Sequence, residues 1–153
     1  MTSKRMFNMA IVDSDAFLEM PISSQLLYFH LGMRADDDGF IANAKKIIKV
    51  CNCSNDDLSI LVAKNFLIPF KSGVVVIKHW RMNNNKPDTA HYHPTNYKEE
   101  YNALYIKENK SYTINGSEGI ALGDYQGLLV DTDGVVCDDY LKKNAKDWFY
   151  RIV

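Results

Sequence analysis

Cys51-Asn52-Cys53 and His91-Tyr92-His93 are where this chain concentrates metal-ligating side chains. Two thiols and two imidazoles make a four-donor set suited to tetrahedral Zn2+, which accepts sulfur and nitrogen together. The expectation is a structural zinc on Cys51, Cys53, His91 and His93, with Cys137 as a substitute ligand. Such an ion would tie the polar stretch 81–96 to the core. C-x-C is tighter than the common C-x2-C spacing. In the competing reading the cysteines are small buried or half-buried thiols and the histidines are loop surface.

A second cluster is acidic. Leu128-Leu129-Val130-Asp131-Thr132-Asp133-Gly134 resembles the first motif of haloacid-dehalogenase-type phosphatases, a strand followed by D-x-D-G with a nucleophilic first Asp. Only 19 residues follow Gly134, too few to supply the lysine and second acidic pair that chemistry needs. A strand entering an Asp-Gly turn is the simpler reading. With Asp138 and Asp139 the cluster faintly suggests calcium, but the alternating ligands and terminal Glu of an EF-hand are missing. No nucleophile elbow, P-loop or H-E-x-x-H motif occurs. The expectation is therefore a non-enzymatic protein. His30 and His79 read as core histidines, and Trp80 and Trp148 as core anchors.

Basic residues are spread thinly. Lys45, Lys46 and Lys49 share one short helical stretch and Lys64 ends the next. They are the candidate phosphate contacts, or else a solvated face. Residues 1–112 hold 14 basic and 12 acidic side chains, and residues 113–153 hold 4 and 7, so a +2 part precedes a −3 part. Neither half is basic enough to announce a nucleic-acid binder from charge alone. Asp124, Tyr125, Asp131, Asp133, Asp138 and Asp139 are the candidate partner contacts of the acidic part.

The 153 residues are 46% hydrophobic and 24% charged, which suits one ordinary folded domain with a small appendage and excludes disorder as the main state. No apolar run approaches the ~20 residues of a membrane span, and Asp13 interrupts any secretory h-region. Three cysteines without framework spacing point to a reducing cytosol.

Apolar spacing and cap residues place the elements. Residues 7–12 read as extended, and Ser14 caps a short helix that ends before Pro21. Ser23 or Ser24 caps a second helix with Leu26, Leu27, Phe29, His30, Leu31 and Met33 at helical spacing. Asp36-Asp37-Asp38-Gly39 is a turn before the short strand Phe40-Ile41. Asn43 opens a helix over 44–50 with Ile47, Ile48 and Val50 inward. Ser54 caps the next, with Leu58, Leu61 and Val62 inward and Asn65 closing it. Residues 66–70 and 74–80 form a hairpin about Lys71-Ser72-Gly73. Residues 97–108 read as a helix, 112–114, 119–122 and 128–130 as short strands, and 138–150 as a helix. The expected class is α+β. A winged helix-turn-helix (1–80) is followed by a post-wing loop and helix (81–112) and a small acidic α+β segment (113–153).

Ordered strings then match a known family. Arg5-Met6-Phe7, Ile11 to Asp15, Tyr28 to Phe40, Phe66 to Phe70, Ser72 to Ile77, His79-Trp80, Tyr97 to Glu100 and Glu108 to Thr113 closely resemble phage replisome-organiser N-terminal domains, over roughly residues 4–113. The resemblance implies a phage protein in the cytoplasm of a bacterial host. It also implies binding to duplex origin DNA, with a further region contacting the helicase-loading machinery. Two departures stand out. About 40 residues follow the resemblance, unlike the family's longer continuation, and Lys86 to His93 carries one fixed positive charge where the family is rich in Arg and Lys. The cysteine and histidine pairs fall where the family pattern has none. Asp56 and Asp57 stand at the start of the candidate recognition helix, where phosphates or base edges would approach.

These departures favour a module reused to inhibit a host defence machine by protein contact. The concrete version is an anti-CRISPR whose acidic surface competes for the nucleic-acid channel of an RNA-guided effector nuclease. An origin-DNA-binding replisome organiser is the alternative. No membrane partner is expected.

Overall fold

The computed structural model describes residues 4–87 and 90–125. They form a mixed α+β body with seven helices and two small antiparallel sheets. α1 (Met9–Val12) is helical where an extended segment was expected, because the Asn8 side chain accepts the Ala10 N–H and caps it. α2 (Asp15–Leu18) starts at Ser14, whose hydroxyl accepts the Phe17 N–H.

α3 (Ile22–Arg34) follows Pro21, so Ser23 and Ser24 lie inside its first turn and do not cap it. Its buried face is Ser24, Leu27, Tyr28, Leu31 and Gly32, while Leu26 and Met33 are exposed. β1 (Phe40–Ile41) precedes α4 (Ala44–Val50) and α5 (Asn55–Ala63). Ile47 and Ile48 point inward as expected, but Val50 is 58% exposed. Leu61 is fully buried in α5, and Lys64, rather than Asn65, is its C-cap.

β2 (Leu67–Pro69) and β3 (Val75–Ile77) form the expected hairpin. Gly73 at its tip has φ +91, which glycine adopts without a Cβ penalty. The sheet order is β1-β3-β2, all antiparallel, with Phe40 opposite Val76 and Leu67 opposite Ile77. α3 packs against both α4 and α5. Phe17, Tyr28 and Phe66 meet edge-on under these helices.

Beyond β3 the chain turns through α6 (Trp80–Asn83), crosses the stretch to Asn96 and enters α7 (Lys98–Asn102). The helix expected over 97–108 stops early, because Tyr105-Ile106 is strand β4. β4 pairs with β5 (Tyr112–Thr113) and β6 (Ile120–Ala121), in the order β5-β4-β6. A single 3-10 turn, Leu122–Asp124, closes the described chain. The Tyr112 N–H donates to the Lys78 carbonyl at 2.8 Å and joins the second sheet to the end of β3. The strand at 128–130 and the helix at 138–150 lie outside the described residues.

The polar stretch after β3 is strapped down by the Asp36-Asp37-Asp38 turn. Asp38 is 1% exposed, and its Oδ1 accepts from the Arg81 guanidinium at 2.7 Å. The Tyr92 hydroxyl donates to the same carboxylate, and the Thr95 N–H donates to Oδ2 at 2.9 Å. Asp37 takes the Arg5 guanidinium at 3.2 Å and the His93 N–H at 2.9 Å. Asp36 accepts from the Thr95 hydroxyl, and burial raises its carboxyl above the ordinary range. The Trp80 indole N–H and the Tyr112 hydroxyl donate to the backbone carbonyls of Asp37 and Asp38. Through three carboxylates and two backbone carbonyls, this turn holds N-terminus, strap and second sheet together.

The asparagine triplet extends this. Asn83 accepts the Asn8 N–H at 2.8 Å and donates to the Tyr28 hydroxyl at 2.8 Å, while Asn84 accepts the Met6 N–H at 2.9 Å. Among the described residues no helix is long and apolar enough to cross a membrane.

Candidate functional site

α4, α5 and the turn between them hold most of the described candidates. Lys45, Lys46 and Lys49 are all exposed on α4, and Lys64 is exposed at the end of α5. The exposed residues of α5 are Asn55, Asp56, Ser59 and Ala63.

Asp57 is not among them. Its Oδ1 accepts the Ser23 hydroxyl at 2.6 Å and the Ser24 hydroxyl at 3.2 Å, both from α3. Its Oδ2 accepts the Ser54 N–H at 2.9 Å, while Ser54 Oγ caps the Asp57 N–H in return. This capping box satisfies two helix-start groups and locks α5 onto α3. Read from sequence, Asp57 presents a negative charge to any ligand of α5; in the fold that charge is spent internally. Asp56 is the one acidic residue exposed on α4 and α5.

The Ser23 hydrogen bond, reinforced by Ser54 and Ser24, outweighs burial and holds the Asp57 carboxyl below the usual carboxylate range. The sign follows. A group whose pKa falls on folding stabilises the fold above its unfolded value, about 3.9, and that contribution is lost as pH drops through the folded value. Asp36 is shifted oppositely, so its charged form opposes folding and protonation relieves that cost. Asp57→Asn is therefore expected to flatten the acid limb of stability against pH, and Asp36→Asn to steepen it. Urea midpoints between pH 2.5 and 6 check both. Asp57→Ala, which also orphans two serine hydroxyls, is expected to cost about 1–2 kcal/mol at pH 7.

Two shallow hollows border this surface. One of about 390 Å3 is lined by Lys45, Ile48, Lys49, Cys53, Ser54 and Asn55. Another, of about 280 Å3, lies between the start of α4, Leu58 of α5 and Gly73 of the hairpin, with Asn43 and Lys45 on its rim.

Cys51 and Cys53 sit at the α4–α5 turn with their sulfur atoms 3.4 Å apart. The histidines expected to join them belong to the strap. His91 and His93 are exposed, and the His93 backbone is fixed to Asp37. Among the described residues no group of three or more His, Cys, Asp and Glu is gathered to hold a metal ion, so the four-ligand zinc set is not assembled. The strap takes its anchorage from Asp36, Asp37 and Asp38, the role foreseen for zinc.

The other candidates divide. His79 is half-buried: burial, with minor help from Lys78 and Lys107, lowers its pKa to about 4, and its ring lies 5.7 Å from that of Phe66. His30 is half-buried at the surface, its Nδ1 2.9 Å from the Arg34 guanidinium. Tyr125, expected to offer a contact surface, is buried, and its carbonyl accepts from the Lys86 ammonium at 3.1 Å. Asp124 is exposed. Asp131, Asp133, Asp138, Asp139, Cys137 and the D-x-D-G segment lie outside the described residues.

Sequence reading missed Asp36, Asp37 and Asp38 as partners. Three consecutive acids beside Gly39 spell a solvated turn, and only buried cations and N–H donors far along the chain reveal otherwise. Compared with protein-family models, curated proteins and solved structures, the chain matches none of them.

Proposed function

We propose that the described body is a winged-helix module that binds duplex DNA, the role implied by its resemblance to phage replisome-organiser domains. The observation that carries this reading is the surface of α4 and α5. Asp57 is folded inward, and Lys45, Lys46 and Lys49 on α4 and Lys64 at the end of α5 are exposed together with Asn55, Asp56 and Ser59. Asparagine and serine reach base edges, and lysines neutralise phosphates. The helix, strand, helix, helix, hairpin order with sheet order β1-β3-β2 supports it by placing the hairpin tip beside α5.

The test is duplex-DNA binding measured against salt. If Lys45, Lys46 and Lys49 each contact a phosphate, replacing all three by Ala lowers the slope of log K against log salt by about 2.7 and leaves the urea midpoint unchanged. Salt-independent binding, or none to any duplex, would refute the reading.

A second reading keeps some support. Met9, Leu18, Ile22 and Leu26 are exposed apolar side chains on α1, α2 and α3, and residues 113–153 carry the −3 balance. A host RNA-guided nuclease inhibited by protein contact would be its target. A stable complex with such a nuclease, together with absent DNA binding, would establish this reading over the first. The tail is best removed after Tyr125, because a cut at Tyr112 takes away β6 and Thr113 of β5.

A further inference from the structure

Cys51 and Cys53 bracket the turn that joins α4 to α5. Asn52 between them has φ 58, a left-handed conformation that bends the backbone sharply. The turn is pinned by the Cys51 N–H on the Ile47 carbonyl at 3.0 Å and the Cys53 N–H on the Ile48 carbonyl at 2.9 Å. Both thiols are half-buried, and their sulfur atoms are 3.4 Å apart. A disulfide bond is about 2.05 Å long, so a movement on the order of 1.4 Å closes the gap.

We infer that Cys51 and Cys53 are a redox modification site, a dithiol that a hydroperoxide converts to an intrachain disulfide in the α4–α5 turn. The inference rests on the sulfur geometry and is independent of DNA binding.

The Cys53 thiol donates to the Ser23 carbonyl at 3.3 Å, and burial and the neighbouring Cys51 sulfur favour its protonated form. The balance is the same whichever of the two sulfurs attacks first. Deprotonated, Cys51 attacks one peroxide oxygen; an S–O bond forms, the O–O bond breaks, and hydroxide leaves and takes up a proton. The Cys53 sulfur then attacks Cys51. An S–S bond forms, the S–O bond breaks, and the departing hydroxide takes the Cys53 proton as water. Two thiols and one hydrogen peroxide give one disulfide and two waters, with two electrons passing from sulfur to oxygen. The hollow lined by Lys45, Lys49 and Cys53 has room for a small oxidant. Oxidation also removes the donor to the carbonyl of Ser23, whose hydroxyl holds Asp57, so the modification reaches the join between α3 and α5.

The experiment uses the reduced full chain in chelator, so that no metal occupies the thiols. Hydrogen peroxide is added, remaining thiols are alkylated, and the tryptic peptide 50–64, which holds both cysteines, is weighed. The expected peptide is unalkylated, lighter by two hydrogens, and restored by reductant. Cys137→Ser retains this product, whereas Cys51→Ser and Cys53→Ser each abolish it. Peptide 50–64 doubly alkylated at peroxide doses that oxidise Cys137 would overturn the inference. So would a bond from either residue to Cys137, or conversion to sulfinic acid without a disulfide.

Discussion

Asp38→Ala is expected to lower folding stability by about 3–5 kcal/mol, because it strands a buried positive charge. Arg81 is 2% exposed and takes its ion pair from Asp38, at 2.7 Å. The same carboxylate accepts from the Tyr92 hydroxyl and the Thr95 N–H, so the substitution also orphans two donors. A domain of this size has on the order of 5–15 kcal/mol in total, so the loss is a large fraction. The damage should concentrate on the strap, and chymotrypsin should cut after Tyr92 far faster than in the wild type. Urea denaturation and limited proteolysis measure both effects. Asp38→Ala with Arg81→Met removes the stranded charge and should recover at least half of the loss. If Asp38→Ala does not fold, Tyr92→Phe tests the same contact more gently, at about 1–2 kcal/mol. A wild-type urea midpoint for Asp38→Ala would show that the turn does not anchor the strap.

The elements legible in the sequence are those coded by neighbours in the chain. Ser14 and Ser54 cap helices because a hydroxyl three residues before an N–H needs only local geometry. Gly73 marks its hairpin for a similar reason. What sequence reading missed depends on partners tens of residues away. Ser23 and Ser24 resemble caps but spend their hydroxyls on Asp57, more than thirty residues downstream. Asn83 and Asn84 resemble linker but hold the backbone of Asn8 and Met6. Tyr105 continues a helical apolar pattern, yet pairing with Thr113 and Ala121 makes it strand, tertiary contact overriding local propensity. The candidate site shows the same division. The exposed lysines were readable from type and spacing. The inward turn of Asp57 was not, and it leaves Asp56 as the one exposed carboxylate of α5 that opposes phosphate.

Gly39→Ala is expected to cost about 2–5 kcal/mol, and a comparison inside this chain separates its two causes. Gly39 has φ +92, a backbone conformation that disfavours any Cβ by roughly 1–2 kcal/mol. It also faces Trp80: a Cβ built on Gly39 lies 2.6 Å from the indole Cγ. The ring cannot yield cheaply. It is 1% exposed, its N–H is spent on the Asp37 carbonyl, and the Arg5 guanidinium lies 5.2 Å above it. Overpacking of this kind adds about 1–3 kcal/mol. Gly73, at φ +91, has the same backbone requirement, but nothing lies within 4 Å of its Cβ position. Gly73→Ala should therefore show the backbone cost alone, and the difference between the two variants in urea denaturation reports the steric clash. Equal losses would mean that Trp80 moves aside freely. That would contradict the packing which joins the Asp36 to Asp38 turn to α6, and with it the account of how the strap is held.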